Sequence, residues 1–241
     1  MTVLPIPTLG RAARFDDVIT RMESIVDSLP PADGVAAFTR LYLAVTQAVR
    51  AAVKDDTFDE PADVRWLDVM FANLYFDAFD APSHGRTIPH AWAPLFATRA
   101  QKGILPLQFA LAGMNAHINR DLPVALVETC AQGRIELRDA SPQHRDFLEV
   151  NKVLAHVEEQ AKRGLLEGFG VVLDVALGNL DDVLAMWDVE RAREAAWVNG
   201  KTLWKLRGAP TLRSAFLDSL DRMVGFAGRG LLRPLPIAID G

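Results

Sequence analysis

The helical spacing of the apolar residues is the feature that most constrains this fold. The first periodic segment runs from Phe15 to Leu29, with apolar residues three and four positions apart. The same spacing returns between Phe38 and Val53 and again after Ser141. Residues spaced in this way share one face of an α-helix, and that face must be buried against another element. We therefore expect an all-α protein.

Length and composition favour a single domain. Half of the 241 residues are apolar, which is enough to bury one sizeable core. No internal repeat, low-complexity linker or composition break marks a domain boundary. The segment 170–179 fits a short buried helix or a strand, and we interpret it as a helix because no alternating segment exists elsewhere to pair with it. We predict one bundle-like domain of about eight to ten helices over residues 1–241, with an irregular tail at 228–241.

Charge, cysteine content and hydropathy exclude several classes of protein. The net charge of -5 and the pI near 5.6 provide no basic surface for nucleic acid. A single cysteine, Cys130, cannot form an internal disulfide. No apolar run approaches the roughly 20 residues of a membrane span, and the first residues lack a signal-peptide pattern. We expect a cytoplasmic protein without a nucleic-acid partner and without a membrane span, and its apolar content is compatible with a homo-oligomer without requiring one.

The stretch GMNAHINRDLP, residues 113–123, places polar side chains in a segment that should be buried. Asn115 and Asn119 are four residues apart, as are His117 and Asp121, so each pair lies on one face of a helix. An amide or imidazole buried without a partner costs on the order of 1 to 3 kcal/mol. These groups must therefore meet polar partners, water or a ligand.

A second helix offers partners for this polar stretch. The segment 62–81 is apolar around most of its circumference, which is typical of a helix buried on several sides. It carries Asn73 and Asp77 four residues apart, with Tyr75 between them and Asp68 upstream. Facing helices with such polar rows can form a pocket inside a bundle, where helical proteins commonly bind ligands.

Structural roles explain the same residues about as well. Asp121, followed by Leu122 and Pro123, has the pattern of a helix N-cap whose carboxylate accepts backbone N–H bonds. The asparagines could be clamps that fix the register of neighbouring helices. A lone histidine such as His117 is more often a satisfied core residue than a base or a ligand. The sequence leaves these alternatives open.

A metal site is only weakly indicated. His117 and Asp121 could supply two ligands, with Asp77 or Asp68 as further oxygens, but neither HExxH nor a pair of ExxH motifs is present. The acidic segment 180–188 fits the first turn of a helix better than a metal site. Phosphate-loop and dinucleotide motifs are absent. We predict no metal and no cofactor.

The segment VERAREAAW, residues 189–197, contains a further candidate. Arg191 fits first a solvated ion pair with Glu194, which is worth a few tenths of a kcal/mol. If Arg191 instead faces inward beside Trp187 and Trp197, its guanidinium could bind a carboxylate or phosphate of a ligand. Both alternatives remain open at this point.

Three segments together resemble a known family. LDVMFANLYFDA, PLQFALAGMNAHINRDLPVAL and RAREAAW occur in the order and spacing of an actinobacterial family of helical proteins classed as a domain of unknown function (family 5995). The resemblance spans about Phe15 to Phe226 and implies no established reaction, cofactor or substrate. It implies that the following residues lie in the family's characteristic segments: Asn73, Tyr75, Asp77, Asn115, His117, Asn119, Asp121, Arg191 and Trp197.

The sequence thus favours a protein that binds or transforms a small apolar or amphipathic molecule between segment 62–81 and the GMNAHIN helix. His117, matched by Asp121 or Asp77, is the candidate acid/base. The candidate substrate-binding residues are Asn73, Tyr75, Asn115, Asn119, Arg191 and Trp197. The alternative is a non-catalytic ligand-binding or interaction protein, in which the same cluster is a structural hydrogen-bond network.

Overall fold

The computed structural model describes residues 11–167 and 188–234, with the backbone alone at 156 and 158–167, and over these residues the chain is helical. In chain order the α-helices are α1 (Phe15–Ser28), α2 (Gly34–Lys54), α3 (Pro61–Asp80), α4 (Ala93–Thr98), α5 (Pro106–Ala116), α6 (Leu122–Gly133), α7 (Pro142–Glu167), α8 (Val189–Lys205) and α9 (Pro210–Leu231). No strand occurs in the described ranges, so the predicted all-α class is confirmed. The segment 170–179, interpreted above as a helix, lies outside those ranges. Residues 228–231, assigned above to the irregular tail, continue α9 instead.

A continuous helix lies at the centre of the fold. It consists of α5, a π-helical turn at His117–Asp121, and α6. Helices α2 and α9 pack against α5, while α3 and α8 pack against α6. A helix that is surrounded in this way must be apolar around its circumference, and most residues of α5 and of the first three-quarters of α6 are buried. Within the described residues, no helix combines the length and the apolar character needed to cross a membrane.

Pro123 explains the π turn in the central helix. It has no amide hydrogen, so the carbonyl of Asn119 loses its α-helical hydrogen bond, and the pyrrolidine ring crowds that carbonyl. The amide of Leu122 donates to the carbonyl of His117, five residues earlier. The helix therefore accommodates the proline through one wide turn and continues. The N-cap role considered for the Asp121 carboxylate is wrong, because this carboxylate accepts no backbone N–H at the start of α6.

Glycine allows α2 to approach the central helix closely. A Cβ at Gly113 of α5 would overlap the ring of Phe38 on α2, so no other residue fits there without a shift of the ring. The close approach brings two aromatic rings of α2 to the π turn. The ring centroids of Phe38 and Tyr42 lie 5.9 Å and 4.4 Å from that of His117.

We expect Gly113→Ala to lower the free energy of unfolding by about 1 to 3 kcal/mol, because the added methyl group overlaps the buried ring of Phe38. Gly230→Ala is the matched control in α9, since open space surrounds the added carbon there and the change favours the helix. Urea denaturation of both variants measures the difference. Equal stabilities would contradict the close contact between α2 and α5.

Candidate functional site

The interior of the bundle contains an apolar cavity of about 90 Å³. Its walls come from α2, α3, α6, α7, α8 and the π turn, so it lies between segment 62–81 and the GMNAHIN helix. Representative apolar lining residues are Val45, Leu67, Phe71, Leu122, Leu126 and Phe147. One water needs roughly 10 to 15 Å³ of such space, so the cavity has room for a small molecule.

His117 lines this cavity from the π turn. Its ring is stacked on Phe71 with the centroids 3.5 Å apart and the planes 4° from parallel, and Tyr42 contacts it edge-on. The residue is 1% exposed, and its Nε2 atom has no hydrogen-bond partner among the described residues. Since an unpartnered buried polar atom is costly, Nε2 is the atom on which a ligand can act.

Asp121 holds the other side of the imidazole. Its fully buried carboxylate accepts hydrogen bonds from Trp92 Nε1 at 2.9 Å and from Arg120 Nη1 at 2.7 Å. His117 Nδ1 lies 3.2 Å from the same carboxylate. A carboxylate paired with a guanidinium is ionised and can only accept, so Nδ1 donates to it and Nε2 keeps its lone pair.

Burial lowers the pKa of His117, and the hydrogen bond and charge of Asp121 act in the opposite direction. The imidazole is therefore neutral at pH 7, with one nitrogen oriented and the other free. A neutral imidazole oriented by a carboxylate is the arrangement that enzymes use for a general base. The two residues can therefore accept a proton or a hydrogen bond from a molecule in the cavity.

A second carboxylate, that of Asp221 on α9, helps to hold the Asp121 carboxylate in place. Arg120 Nε lies 3.6 Å from Asp221 Oδ1, and Asp221 accepts the backbone N–H groups of His90 and Ala91 at 2.8 Å and 3.0 Å. These hydrogen bonds fix the turn that carries Trp92. Because Trp92 in turn donates to Asp121, α9 helps to position the carboxylate behind His117.

Two further buried polar groups share the cavity with His117. Asp68 Oδ2 belongs to a lining residue and has no hydrogen-bond partner among the described residues, and the hydroxyl of Tyr42, another lining residue, has the Thr46 side chain as its polar neighbour. Asp68 lies one turn before Phe71 on α3, so it is on the face whose ring stacks on His117. Burial raises the pKa of Asp68 to about 8 and raises the pKa of Tyr42 well above its ordinary value. Both groups are therefore neutral hydrogen-bond donors at pH 7.

Arg193, and not Arg191, faces the cavity from α8. The Arg193 guanidinium is buried, and it donates to Asn151 Oδ1 at 2.6 Å and to the carbonyl oxygen of Phe147 at 2.7 Å. Arg191 is exposed and pairs with Asp188 at 3.0 Å. The inward orientation considered for Arg191 is therefore wrong, and Arg193 is the arginine of this segment that faces inward.

The spacing of α8 contained the signal for Arg193. It lies four residues before Trp197, which places both side chains on the same face of the helix, whereas Arg191 lies six residues before it. Trp197 lines the cavity as well, and its Nε1 donates to Asp139 Oδ1 at 2.8 Å. Trp187, the other tryptophan considered beside Arg191, lies outside the described residues.

Two of the predicted residues on α3 serve as structural contacts. The side-chain amide of Asn73 donates to the carbonyl of Ala12 and accepts from its N–H, both at 2.9 Å. The Tyr75 hydroxyl lies 2.6 Å from Thr39 Oγ1. Neither residue lines the cavity, so the clamp interpretation describes Asn73 better than the substrate-binding one.

The remaining predicted residues also lie away from the cavity. Asp77 is 39% exposed and pairs with Arg11 at 2.9 Å, so it is not a partner of His117. The Asn115 amide donates to the carbonyl of Val224 at 3.0 Å and accepts from Asn119 at 3.1 Å. Both asparagines border a separate, more open cavity of about 470 Å³ beside α8 and α9.

The described residues show neither a metal-binding cluster nor an activated thiol. No three His, Cys, Asp or Glu side chains in this part of the chain lie close enough together to hold a metal ion. Cys130 lines the cavity, but burial raises its pKa to about 11. It is therefore a neutral thiol at pH 7 and a poor nucleophile.

Comparison with known proteins connects the chain to one family. A family model described as "Family of unknown function (DUF5995)" matches residues 15–234. No curated protein and no solved structure matches the chain. The function must therefore be inferred from the geometry of the cavity.

We expect Asp121→Asn to lower the free energy of unfolding by about 1 to 3 kcal/mol, because the side-chain amide has one acceptor oxygen and cannot satisfy all three donors that the carboxylate holds, Trp92 Nε1, His117 Nδ1 and Arg120 Nη1. Asp77→Asn is the control, since a half-exposed ion pair contributes at most about 1 kcal/mol. Chemical denaturation at pH 7 compares the two. A similar loss in both variants would show that Asp121 is not the anchor of the site.

The buried Asp68 carboxyl should make stability depend on pH. The folded protein keeps this proton up to about pH 8, whereas the unfolded chain releases it near the ordinary pKa of 3.8. Its stabilising contribution is complete below the unfolded pKa and is lost as pH rises towards 8. As the pH rises from about 5 to about 8, we expect the free energy of unfolding of Asp68→Asn to increase by on the order of 3 to 4 kcal/mol relative to that of wild type.

Denaturation curves across this pH range measure the effect. The Asp77→Asn variant, altered on the exposed side of the same helix, is the matched control. Its free energy of unfolding should change with pH in the same way as that of wild type. The contribution of His117 is common to all three proteins and cancels in the difference. If the free energies of unfolding of Asp68→Asn and wild type differ by the same amount across this pH range, Asp68 is not a neutral, buried carboxyl group.

Proposed function

The chain belongs to the DUF5995 family, whose function is unknown, and we propose that it binds a small, mainly apolar molecule in the cavity and accepts a proton from it at His117 Nε2. One observation carries the proposal. Nε2 is an unpartnered buried atom of a residue that lines the cavity, in a ring whose other nitrogen is oriented by Asp121. Chemistry of this kind needs a base that is neutral and held in place before the ligand enters.

The cavity walls limit what this molecule can be. Apolar side chains make up most of the lining, which favours a hydrocarbon body over a sugar or a nucleotide. The residues that line the cavity include the free acceptor His117 Nε2 and the neutral donors Asp68 and Tyr42. A molecule with an acidic proton next to an oxygen matches this set, such as a hydroxyl group or a C–H adjacent to a carbonyl.

The proposed step is a proton transfer. Nε2 accepts the proton of the ligand and becomes part of an imidazolium ion, which the ionised Asp121 stabilises through Nδ1. The ligand oxygen gains negative charge, and Asp68 or Tyr42 donates a hydrogen bond to it. Return of the proton from Nε2 to the ligand, at the same or a neighbouring atom, regenerates the neutral ring.

A purely structural network is the second candidate. The satisfied carboxylate of Asp121 and the clamp between Asn73 and Ala12 favour it, because both join helices without involving a ligand. The two candidates differ in the role of Nε2. A structural network has no use for this atom, whereas a binding site does.

Phenol and toluene test whether Nε2 accepts a hydrogen bond, because they have nearly the same shape and only phenol carries a donor. We expect wild-type protein to bind phenol about tenfold more tightly than toluene. In His117→Asn this preference should disappear, since the shorter amide remains near the Nδ1 position for Asp121 but leaves no atom at the position of Nε2. Titration calorimetry at pH 7 measures all four affinities.

His117→Gln is the matched control, because its longer amide places an acceptor near the position of Nε2 and should retain part of the phenol preference. Circular dichroism confirms that each variant is folded. Equal binding of phenol and toluene by wild type, or no binding of either, would mean that the proposed function is wrong and the network is structural.

A further inference from the structure

We infer that the ligand of this cavity carries a carboxylate group and that Arg193 binds it. The inference rests on the proposed function, because it names the charged group of the same ligand. It makes that ligand a small carboxylic acid with an apolar body.

The first argument is that Arg193 is a buried cation without an anion. Among the described residues, no carboxylate lies within ion-pair distance of its guanidinium, and its hydrogen bonds go to the neutral oxygens of Asn151 and Phe147. The guanidinium also lies 4.2 Å above the Phe147 ring, a contact that stabilises a cation without neutralising it. Buried charges in proteins are normally paired, so an anion is missing here.

The second argument is that the other acidic residues on the cavity wall are not available to Arg193. Asp146 accepts the backbone N–H groups of Asp59 and Glu60, both at 2.7 Å. Asp63 accepts from the side-chain amide of Gln143 at 3.1 Å. Asp68 is buried and neutral at pH 7. The anion that completes the pair therefore has to enter with the ligand.

The third argument is the set of donors that Arg193 has left. Its Nε and Nη2 atoms each make one hydrogen bond, and Nη1 makes none to any described residue. Nη1 therefore keeps two free N–H groups and Nη2 keeps one, and a planar guanidinium with free donors is the group that proteins commonly use to bind a carboxylate. Burial lowers the pKa of Arg193 to about 9, so the group is still charged at pH 7.

The positions of the two polar regions define the ligand further. Arg193 reaches the cavity from α8, whereas His117 reaches it from the π turn, and most of the other lining residues, Leu122 among them, are apolar. A ligand that contacts both residues has its carboxylate at Arg193, its apolar body against side chains such as Leu122 and its exchangeable proton at Nε2.

Benzoate and benzamide test the assignment, because they share one shape and differ in charge. We expect wild-type protein to bind benzoate about tenfold to a hundredfold more tightly than benzamide at pH 7 in titration calorimetry. Arg193→Met keeps an apolar stem in place of the arginine and should abolish the preference for benzoate. Because this substitution leaves Asn151 Oδ1 and the carbonyl oxygen of Phe147 without their donor, circular dichroism checks that the variant is folded before its affinities are compared. Arg193→Lys keeps the charge without the planar fork and should show an intermediate preference.

Arg191→Met is the matched control, since it removes an exposed arginine from the same helix and should leave the benzoate preference unchanged. Equal binding of benzoate and benzamide by wild type overturns the inference, as does a benzoate preference that persists in Arg193→Met. Phenol binding separates this failure from that of the proposed function. If phenol still binds better than toluene, only the carboxylate assignment is wrong, and if it does not, both are wrong.

Discussion

The hydrogen bond between the buried Asp121 carboxylate and His117 Nδ1 is the interaction on which the candidate site depends. It decides which nitrogen of the ring is free, and therefore what the cavity wall presents to a ligand. Pro123 contributes to this arrangement, because it produces the π turn that carries both Asp121 and His117. A carboxylate so deep in the fold is stable there because Arg120 and Trp92 satisfy its oxygens.

Burial shifts the pKa values of three of the titratable groups on the cavity wall in different directions. It disfavours the charged form of each, so it lowers the pKa of His117 and raises those of Asp68 and Tyr42. At pH 7 the lining residues therefore include one free acceptor, His117 Nε2, and two neutral donors, and the Arg193 guanidinium has no carboxylate within ion-pair distance among the described residues. The cavity thus combines a few polar groups with mainly apolar walls.

Local sequence patterns predicted part of this site. The spacing of His117 and Asp121 in an otherwise apolar helix indicated that they act together, and their contact has that form. The same reasoning placed Asp77 and Asn73 beside them, but Asp77 lies on the exposed side of α3 and Asn73 binds the segment before α1. Tyr42 and Trp92 were missed, because nothing near them in the chain shows that they meet the π turn.

By itself, the sequence determined the all-α class, the approximate positions of the helices in the chain, the family and the presence of buried polar groups in the central helix. These follow from the spacing of neighbouring residues, which sets the faces of a helix without reference to the rest of the chain. Only the tertiary structure decided which polar groups find partners, as Asp121 does in Trp92, and which remain free, as His117 Nε2 does. Burial and partners depend on residues that are distant in the chain, and no local pattern encodes which of them meet.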